Sequence, residues 1–388
     1  MSTLEQVIGG IRFRSPLVIG AGPLSDRVDL IKKAADCGAG AVSIKQTAWT
    51  EPRPGVRKMC AQRGLYFFNP SDRRLNPQKT AELIRQSKEV TDIPLLANIL
   101  GAGENVGTWV ELGQQLEDAG ADGLELNFAC PNPPAKIGEG GFQYGASMSQ
   151  NPAKAADVIS ALTKAVDIPV WVKFSGDGTN TAALCAAAAE AGASGITAFC
   201  SPRGTFPIDI YNGGRPKLAD LPQCSLGGVN GPAIRLASNR VVVEAAQAAP
   251  SLPIMGGGGI SCAEHVIETI MFGASLTFIF TQVMLEGFEI LTRLNSEILR
   301  FMEENGYETI GQIRGQALKY IVPNSELDYA IGPAAKVNPE LCRGCGTCAK
   351  IAFCRAIELR DRKAKVDPER CECCGLCASL CPTNAIYF

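Results

Sequence analysis

Leu17-Val18-Ile19-Gly20-Ala21-Gly22-Pro23 is an apolar run that stops in small residues and a proline. A short apolar run bounded by turn formers reads as a strand buried on both faces. The pattern returns at residues 41–45 (AVSIK), 94–100 (PLLANIL), 122–127 (DGLELN) and 169–174 (PVWVKF). It returns again at 194–199 (SGITAF), 253–259 (PIMGGGG) and 275–280 (SLTFIF). Amphipathic stretches separate the runs, as at 181–191 and 235–248. Strand-then-helix units repeated eight times predict an α/β chain folded as a (β/α)8 TIM barrel over residues 1–304. A doubly wound sheet is the alternative, and it does not need eight units. The phrases AGADG, AGASG and FGASL, each leading into a strand, fit the helix-to-strand turns of a barrel.

The C-terminal part has another pattern. Cys342, Cys345, Cys348 and Cys354 form one run; Cys371, Cys374, Cys377 and Cys381, followed by Pro382, form a second. Repeated C-x-x-C spacing sets three thiolates round a small loop, at three corners of a [4Fe–4S] cube, and the other run supplies the fourth. A disulfide framework and a pair of zinc sites are the alternatives. The chain opens MSTLEQ without an apolar signal segment, which points to a reducing, cytoplasmic setting and against disulfides. Zinc sites often use histidine, and the chain has 1 His. The step from Cys348 to Cys354 spans two residues more than the ferredoxin pattern. The insert is either a looser loop before the same ligand or a change that weakens or replaces it. Cys373 reads as a bystander. The expected organisation is the barrel, a linker with a helix at 305–335, and an α+β ferredoxin-like domain with two [4Fe–4S] clusters at 336–388.

A chain of 388 residues has room for one large and one small domain. A net charge of −2 without a basic stretch leaves nucleic-acid binding no electrostatic footprint. No apolar run has the length of a membrane span. Cys37, Cys60, Cys185, Cys224 and Cys262 read as core or surface thiols.

Barrels of this kind keep their chemistry at the C-terminal ends of the strands. There stand Ala21 and Gly22, then Lys45, Asn98, Asn127 and Lys173. The glycines at 256–259, followed by a helix start near Ser261, offer free N–H groups to a phosphate. Phe280 and Thr281 add another N–H and a hydroxyl. Singly, the glycines read as tight turns and the lysines as solvated. Together they suit a planar, polar, anionic ligand, and FMN fits that description. A flavin also converts the single electrons of clusters into the pairs that carbon chemistry needs. Cys130 follows strand four on a proline-stiffened loop, where a thiol can serve as general acid or, in reverse, general base. The other reading of Cys130 is a buried structural cysteine. His265, on the helix after the glycine run, is poorly placed for that task.

These residues resemble the dihydropyrimidine dehydrogenase and class 1 dihydroorotate dehydrogenase family of flavoproteins. The resemblance lies in SIKQT at Lys45, ANILG at Asn98, ELNFACPNP at Asn127 and Cys130, WVKF at Lys173, GGVNGPAIR at Gly227 and MGGGGI at Gly256. The order of barrel and cluster domain is most similar to the iron–sulfur subunit of bacterial NAD-dependent dihydropyrimidine dehydrogenases. The resemblance implies Cys130 as catalytic acid/base, Lys45 and Lys173 as flavin contacts, and Asn98 and Asn127 as contacts to flavin or substrate; Ala21 and Gly22 stand where a flat ring can lie close to the backbone. It places the two glycine stretches, with Gly228, Gly231, Gly257 and Gly258, at the flavin phosphate, beside the strand-eight end at Phe280 and Thr281, and Asn127 and Asn132 are expected toward substrate. It also implies a homodimer or hetero-oligomer.

Two departures bear on the substrate. Pyrimidine enzymes carry Asn-Thr or Asn-Ser after strand six, where this chain has Cys200-Ser201-Pro202-Arg203. They carry Thr-Pro-Asn after strand five, where this chain has Phe174-Ser175-Gly176-Asp177. A thiol cannot replace a paired donor and acceptor, and unpaired amide groups cost affinity. The expected substrate is a small cyclic molecule with an activated C=C bond, other than a standard pyrimidine, with Cys200, Ser201 and Arg203 near it. Arg203 then meets an anionic group, or else it is a surface arginine; Arg53 and Arg57 raise the same question. Pyrimidine reduction itself, and an electron-transfer subunit with a relay flavin, are the alternatives. No G-x-G-x-x-G opens a helix after a strand, so electrons are expected from a ferredoxin or an NAD(P)H-oxidising flavoprotein subunit.

Overall fold

A computed structural model describes residues 2–49, 58–70, 74–102, 105–130, 145–176, 178–218, 221–328 and 332–388. Arg53, Arg57, Asn132 and Asp177 lie outside the described residues, as does the side chain of Cys200. The chain divides into two compact units, Met1–Tyr320 and Ile321–Phe388.

In the first unit eight parallel strands follow one another: β1 (Leu17–Ile19), β2 (Ala41–Ser43), β3 (Leu95–Leu100), β4 (Gly123–Phe128), β5 (Val170–Ser175), β6 (Gly195–Cys200), β7 (Ile254–Gly257) and β8 (Leu276–Ile279). Each pairs with the next, and β8 pairs back to β1, so the sheet closes. Closure excludes the doubly wound alternative, whose sheet has two open edges. Every residue of β3, β4 and β5 is buried, because one face packs inside the barrel and the other against helices.

The helices that return the chain are α1 (Val28–Asp36), α2 (Pro77–Val90), α3 (Val106–Asp118), α4 (Pro152–Ala165), α5 (Thr181–Glu190), α6 (Arg235–Ala248), α7 (Ala263–Met271) and α8 (Ile290–Glu304). Asn76, Asn151 and Asn180 cap α2, α4 and α5 by accepting a backbone N–H in the first turn. The AGADG, AGASG and FGASL phrases end helices as expected: Gly120, Gly192 and Gly273 take positive φ there.

A hairpin of Gln6–Ile8 and Ile11–Phe13 precedes β1. Its Ile11 and Phe13 pack with Val18, Leu96, Trp171, Met255 and Leu276, which lie toward the strand starts. Residues 305–320, read from the sequence as the beginning of a linker, pack with the barrel unit: Ile310 and Ile313 are buried, and Arg314 donates to the carbonyls of Gly273 and Leu252. A second, antiparallel sheet joins Arg203–Gly204, Gly227–Asn230, Tyr66–Asn69 and Cys60–Gln62, from the loops after β2 and β6.

The second unit is ferredoxin-like. Lys336–Val337 pairs with Ile386–Tyr387, and Ile357–Arg360 forms a hairpin with Lys363–Val366. Its core is small, and Cys342, Cys348 and Cys377 are part of it. So little apolar packing is usually supplemented by a metal or disulfides. Among the described residues no helix is long and apolar enough to cross a membrane.

Candidate active site

A cavity of about 1160 Å³, open mouth included, lies at the C-terminal ends of the barrel strands. After β1 it is lined by Ala21 and Gly22; after β2 by Lys45 and Gln46; on and after β4 by Asn127 and Cys130; and on β5 by Lys173. Phe199 and Ser201 line it from the end of β6, Gly258 and Gly259 from beyond β7, and Phe278, Phe280 and Thr281 from β8. The second sheet contributes Phe67, Asn69, Gly228 and Asn230, with Gly231 beside them.

The backbone leaves no room for side chains where a ligand's rings and phosphate would come close. A Cβ on Gly22 would lie 2.2 Å from the Phe280 ring. At Gly259, where φ is +78°, it would lie 2.8 Å from Arg235 Cβ and 2.9 Å from the Gly231 carbonyl. The glycines therefore let two turns and the start of α6 converge on one small space, where backbone N–H groups can meet an anion. Gln46 is 5% exposed, lines the cavity, and its Nε2 has no hydrogen-bond partner among the described residues. A buried amide donor without a partner costs free energy unless a ligand supplies an acceptor. These residues fit FMN.

Below the cavity, inside the barrel, sits Glu125, 1% exposed. Ser43 and Asn98 donate to its Oε2 at 2.6 and 2.5 Å, and Thr197 donates to Oε1 at 2.9 Å. Lys173 Nζ stands 3.5 Å from Oε2 and 5.5 Å from the centre of the Phe278 ring. Burial pushes the Glu125 carboxyl up, but the Lys173 ammonium and the three hydrogen bonds outweigh it and hold the carboxyl below its usual range. Asn127 donates to Asn98 Oδ1 at 2.9 Å, and its own Oδ1 accepts the N–H of Ala129 at 3.1 Å and of Cys130 at 2.9 Å.

The cavity thus gathers Cys130, Ala21, Gly22, Lys45, Asn127, Lys173, Gly228, Gly231, Gly258, Phe280, Thr281 and Ser201 from the positions named in the sequence. It does not gather Asn98, Gly257 or Arg203. Asn98 lies two residues before the end of β3, is fully buried, and meets Asn127 and Glu125 instead. Gly257 ends β7 paired with Phe278, and its carbonyl accepts from Ser238. Arg203 is exposed, because the sheet that pairs it with Gly228 turns it outward. His265 Nδ1 lies 3.1 Å from Ser261 Oγ and does not line the cavity.

Sequence reasoning missed Glu125, Gln46, Asn69 and Asn230. Glu125 had a signal: it lies two residues before Asn127 on one strand, so both face the same way. Asn69 and Asn230 had none, since the sheet that carries them joins distant segments. Asn230 is already engaged: it accepts from Ser201 Oγ, and its Nδ2 donates to the carbonyls of Gly228 at 3.2 Å and Phe67 at 3.5 Å.

In the second unit the two cysteine runs interleave. One cavity is lined by Cys342, Cys345, Cys348 and Cys381, and another by Cys354, Cys371, Cys374 and Cys377. Each gathers three of the spaced cysteines of one run and one of the other, as two cubes require, and Cys373 also lines the second. Backbone N–H groups of Ala364, Ala335 and Ala385 point at the sulfurs of Cys342, Cys371 and Cys381, at 3.5, 3.5 and 3.2 Å. Cys373 Sγ donates to the Gly332 carbonyl at 2.9 Å. Among the described residues no group of three or more His, Cys, Asp or Glu is gathered to hold a single metal ion.

Comparison with known proteins finds a match in each part of the chain. A family model for dihydroorotate dehydrogenase matches residues 3–302, and one for a 4Fe-4S binding domain matches residues 364–387. The catalytic subunit of dihydroorotate dehydrogenase B (NAD(+)) from Pyrococcus abyssi is 31% identical over 318 residues, covering 81% of this chain and 99% of its own. The same subunit from Methanocaldococcus jannaschii is 30% identical over 319 residues, covering 81% and 98%. The NAD-dependent dihydropyrimidine dehydrogenase subunit PreA of Escherichia coli K12 is 26% identical over 350 residues, covering 87% and 82%.

Proposed function

The chain belongs to the dihydroorotate dehydrogenase family and is an oxidoreductase acting on CH–CH bonds, and from that premise we propose that it reduces, or in reverse forms, the activated C=C bond of a small cyclic substrate. The observation that carries this reading is one cavity lined by the Cys130 thiol, the Lys45 and Lys173 ammoniums and the glycine turns. FMN in that cavity supplies the electron pair as hydride, and two [4Fe–4S] clusters in the second unit supply electrons singly. Cys130 Sγ gives its proton to the carbon beside the one that is reduced, and takes it back in the reverse direction. Asn127 holds the Cys130 peptide while it does so. Lys45 and Lys173 offset negative charge on the bound groups, Gln46 donates its free N–H, and Gly231, Gly258, Gly259 and Thr281 take the phosphate. Phe67, Phe199 and Phe280 exclude water from the reacting atoms. Cys342, Cys345, Cys348 and Cys381 hold one cluster; Cys354, Cys371, Cys374 and Cys377 hold the other.

The substrate differs from a standard pyrimidine. The support is local: Ser201 and Asn230 bond each other, and Asn230 spends its amide on backbone carbonyls, so neither presents a free donor–acceptor pair. The second reading is reduction of uracil or thymine, favoured by the likeness to a dihydropyrimidine dehydrogenase subunit and by Asn69 and Asn127 on the cavity wall. A ferredoxin or an NAD(P)H-oxidising flavoprotein subunit is the electron partner.

The test is anaerobic. The protein is reduced, and cyclic conjugated compounds, uracil, thymine and orotate are screened for rapid reoxidation. Reoxidation by a non-pyrimidine that is lost in Cys130→Ala, with FMN retained, supports the proposal. Undiminished reoxidation in Cys130→Ala overturns the role of the thiol, and uracil as the best oxidant selects the second reading.

A further inference from the structure

Glu125 lines no part of the cavity, yet two features of the cavity are tied to it. One is Lys173, whose ammonium stands 3.5 Å from Glu125 Oε2. The other is the peptide of Cys130, reached through Asn98 and Asn127.

The direction of those hydrogen bonds is fixed by chemistry. Asn127 Oδ1 accepts two backbone N–H groups, so its NH2 must face Asn98. Asn98 then accepts from Asn127, which turns its own NH2 toward Glu125. Ser43 and Thr197 also donate to that carboxyl, which lies next to an ammonium. An ionised carboxylate accepts from all of these donors at once. A network satisfied in one direction only leaves its members a single arrangement.

We infer that Glu125 is a positioning residue for the redox reaction: a single buried carboxylate that fixes the Lys173 ammonium in the cavity wall and, through Asn98 and Asn127, the peptide that carries the Cys130 thiol. This rests on the proposed flavin site and on Cys130 as its acid/base. The two arms separate by substitution. In Glu125→Gln the amide carbonyl still accepts from Asn98, so the relay to Cys130 persists while the negative charge next to Lys173 is gone. In Asn98→Ala the charge pair persists while Asn127 loses its acceptor.

The experiment uses the holoenzyme, purified anaerobically, with two readouts that need no substrate. Dye-equilibrated reduction gives the midpoint potential of the bound FMN. Iodoacetamide labelling, read on the Cys130 peptide by mass spectrometry, gives the exposure and mobility of that thiol. Removing the negative charge leaves the wall more positive and favours the reduced, more anionic flavin. Glu125→Gln therefore raises the potential by an amount equal to about a tenfold change in the equilibrium, roughly 30 mV for two electrons. Lys173→Met moves it the opposite way. Asn98→Ala leaves the potential in place and speeds labelling of Cys130 by about tenfold or more, as expected for freeing a local segment by about 1.4 kcal/mol.

Unchanged potentials in Glu125→Gln and Lys173→Met, or unchanged labelling in Asn98→Ala, overturn the inference. Opposite shifts in the two charge variants are something a merely structural carboxylate would not produce. If Glu125→Gln does not fold, Lys173→Met alone decides the charge arm and Asn98→Ala the relay. Failure of the underlying reading shows separately, as a chain that holds no FMN or a Cys130→Ala form that keeps its reoxidation rate.

Discussion

The buried pair of Glu125 and Lys173 gives the sharpest stability prediction. Side-chain exposure is 1% and 8%, and the charges are 3.5 Å apart. At an effective dielectric constant of about 20 the attraction over that distance is about 5 kcal/mol. Breaking a buried pair by removing one partner costs about 3–5 kcal/mol, because the remaining charge stays out of water. Glu125→Gln also turns three charge-assisted hydrogen bonds into neutral ones, each weaker by about 1 kcal/mol, though these losses overlap with the first. The expected destabilisation is about 4 kcal/mol. With a urea m-value of about 2–3 kcal/mol/M, the unfolding midpoint falls by about 1.3–2 M. Glu125→Gln combined with Lys173→Met removes both charges and costs less than the sum of the single changes, by about 2 kcal/mol or more. The pH dependence has a definite sign. The folded carboxyl is held below its ordinary value, so its contribution is complete above about pH 4.3 and is lost as pH falls through the folded value. The gap between wild type and Glu125→Gln therefore closes in acid. Urea unfolding, followed by far-UV circular dichroism at several pH values, measures all of this. A single substitution costing under about 1 kcal/mol, or strictly additive changes in the double variant, would show that the pair is not held as described.

Gly22→Leu drives a side chain into the Phe280 ring at the cavity wall, where a Cβ alone would already lie 2.2 Å away. FMN retained per chain after gel filtration should fall at least about tenfold, the equivalent of about 1.4 kcal/mol, with the far-UV spectrum preserved. On the proposed arrangement of two clusters, Cys354→Ser should lose about half of the iron, since Cys354 would complete one set of four thiolates; Cys373→Ser, whose thiol bonds the Gly332 carbonyl, should keep its iron. Burial and the nearby Arg235 hold His265 below its usual range, so in mild acid the unfolded chain binds this proton more readily than the folded one. That contribution is present above about pH 6.5 and is lost as pH falls below it, and His265→Gln should flatten the fall in thermal stability over that window.

The barrel could be read in advance because each of its strands carries its own punctuation. PLLANIL, DGLELN and PVWVKF are buried on both faces, so hydrophobicity is continuous and breaks only at the ends. AGADG and its counterparts mark where helices stop, because glycine takes the left-handed turn that ends them. The cysteine spacing likewise announces its chemistry, since a cube needs four thiolates round a short loop. The second sheet had no such mark. Gly227–Asn230 reads as a glycine stretch, and becomes a strand only when Tyr66–Asn69 lies beside it. Asn69 and Asn230 reach the cavity by that pairing, and Arg203 is turned away from it by the same pairing.

Local pattern therefore established the (β/α)8 barrel, the cluster-binding tail and the strand-end residues Lys45, Asn127, Cys130 and Lys173, because each depends on neighbours within a few residues. Packing across the barrel established the rest. Asn98 looked like a ligand contact from its place on β3, but the partner that claims it is Glu125, its neighbour in the β3–β4 register. A buried carboxylate takes its role from whichever donors surround it. Ser43, Asn98, Lys173 and Thr197 come from four different strands and meet around Glu125 only when the sheet closes on itself.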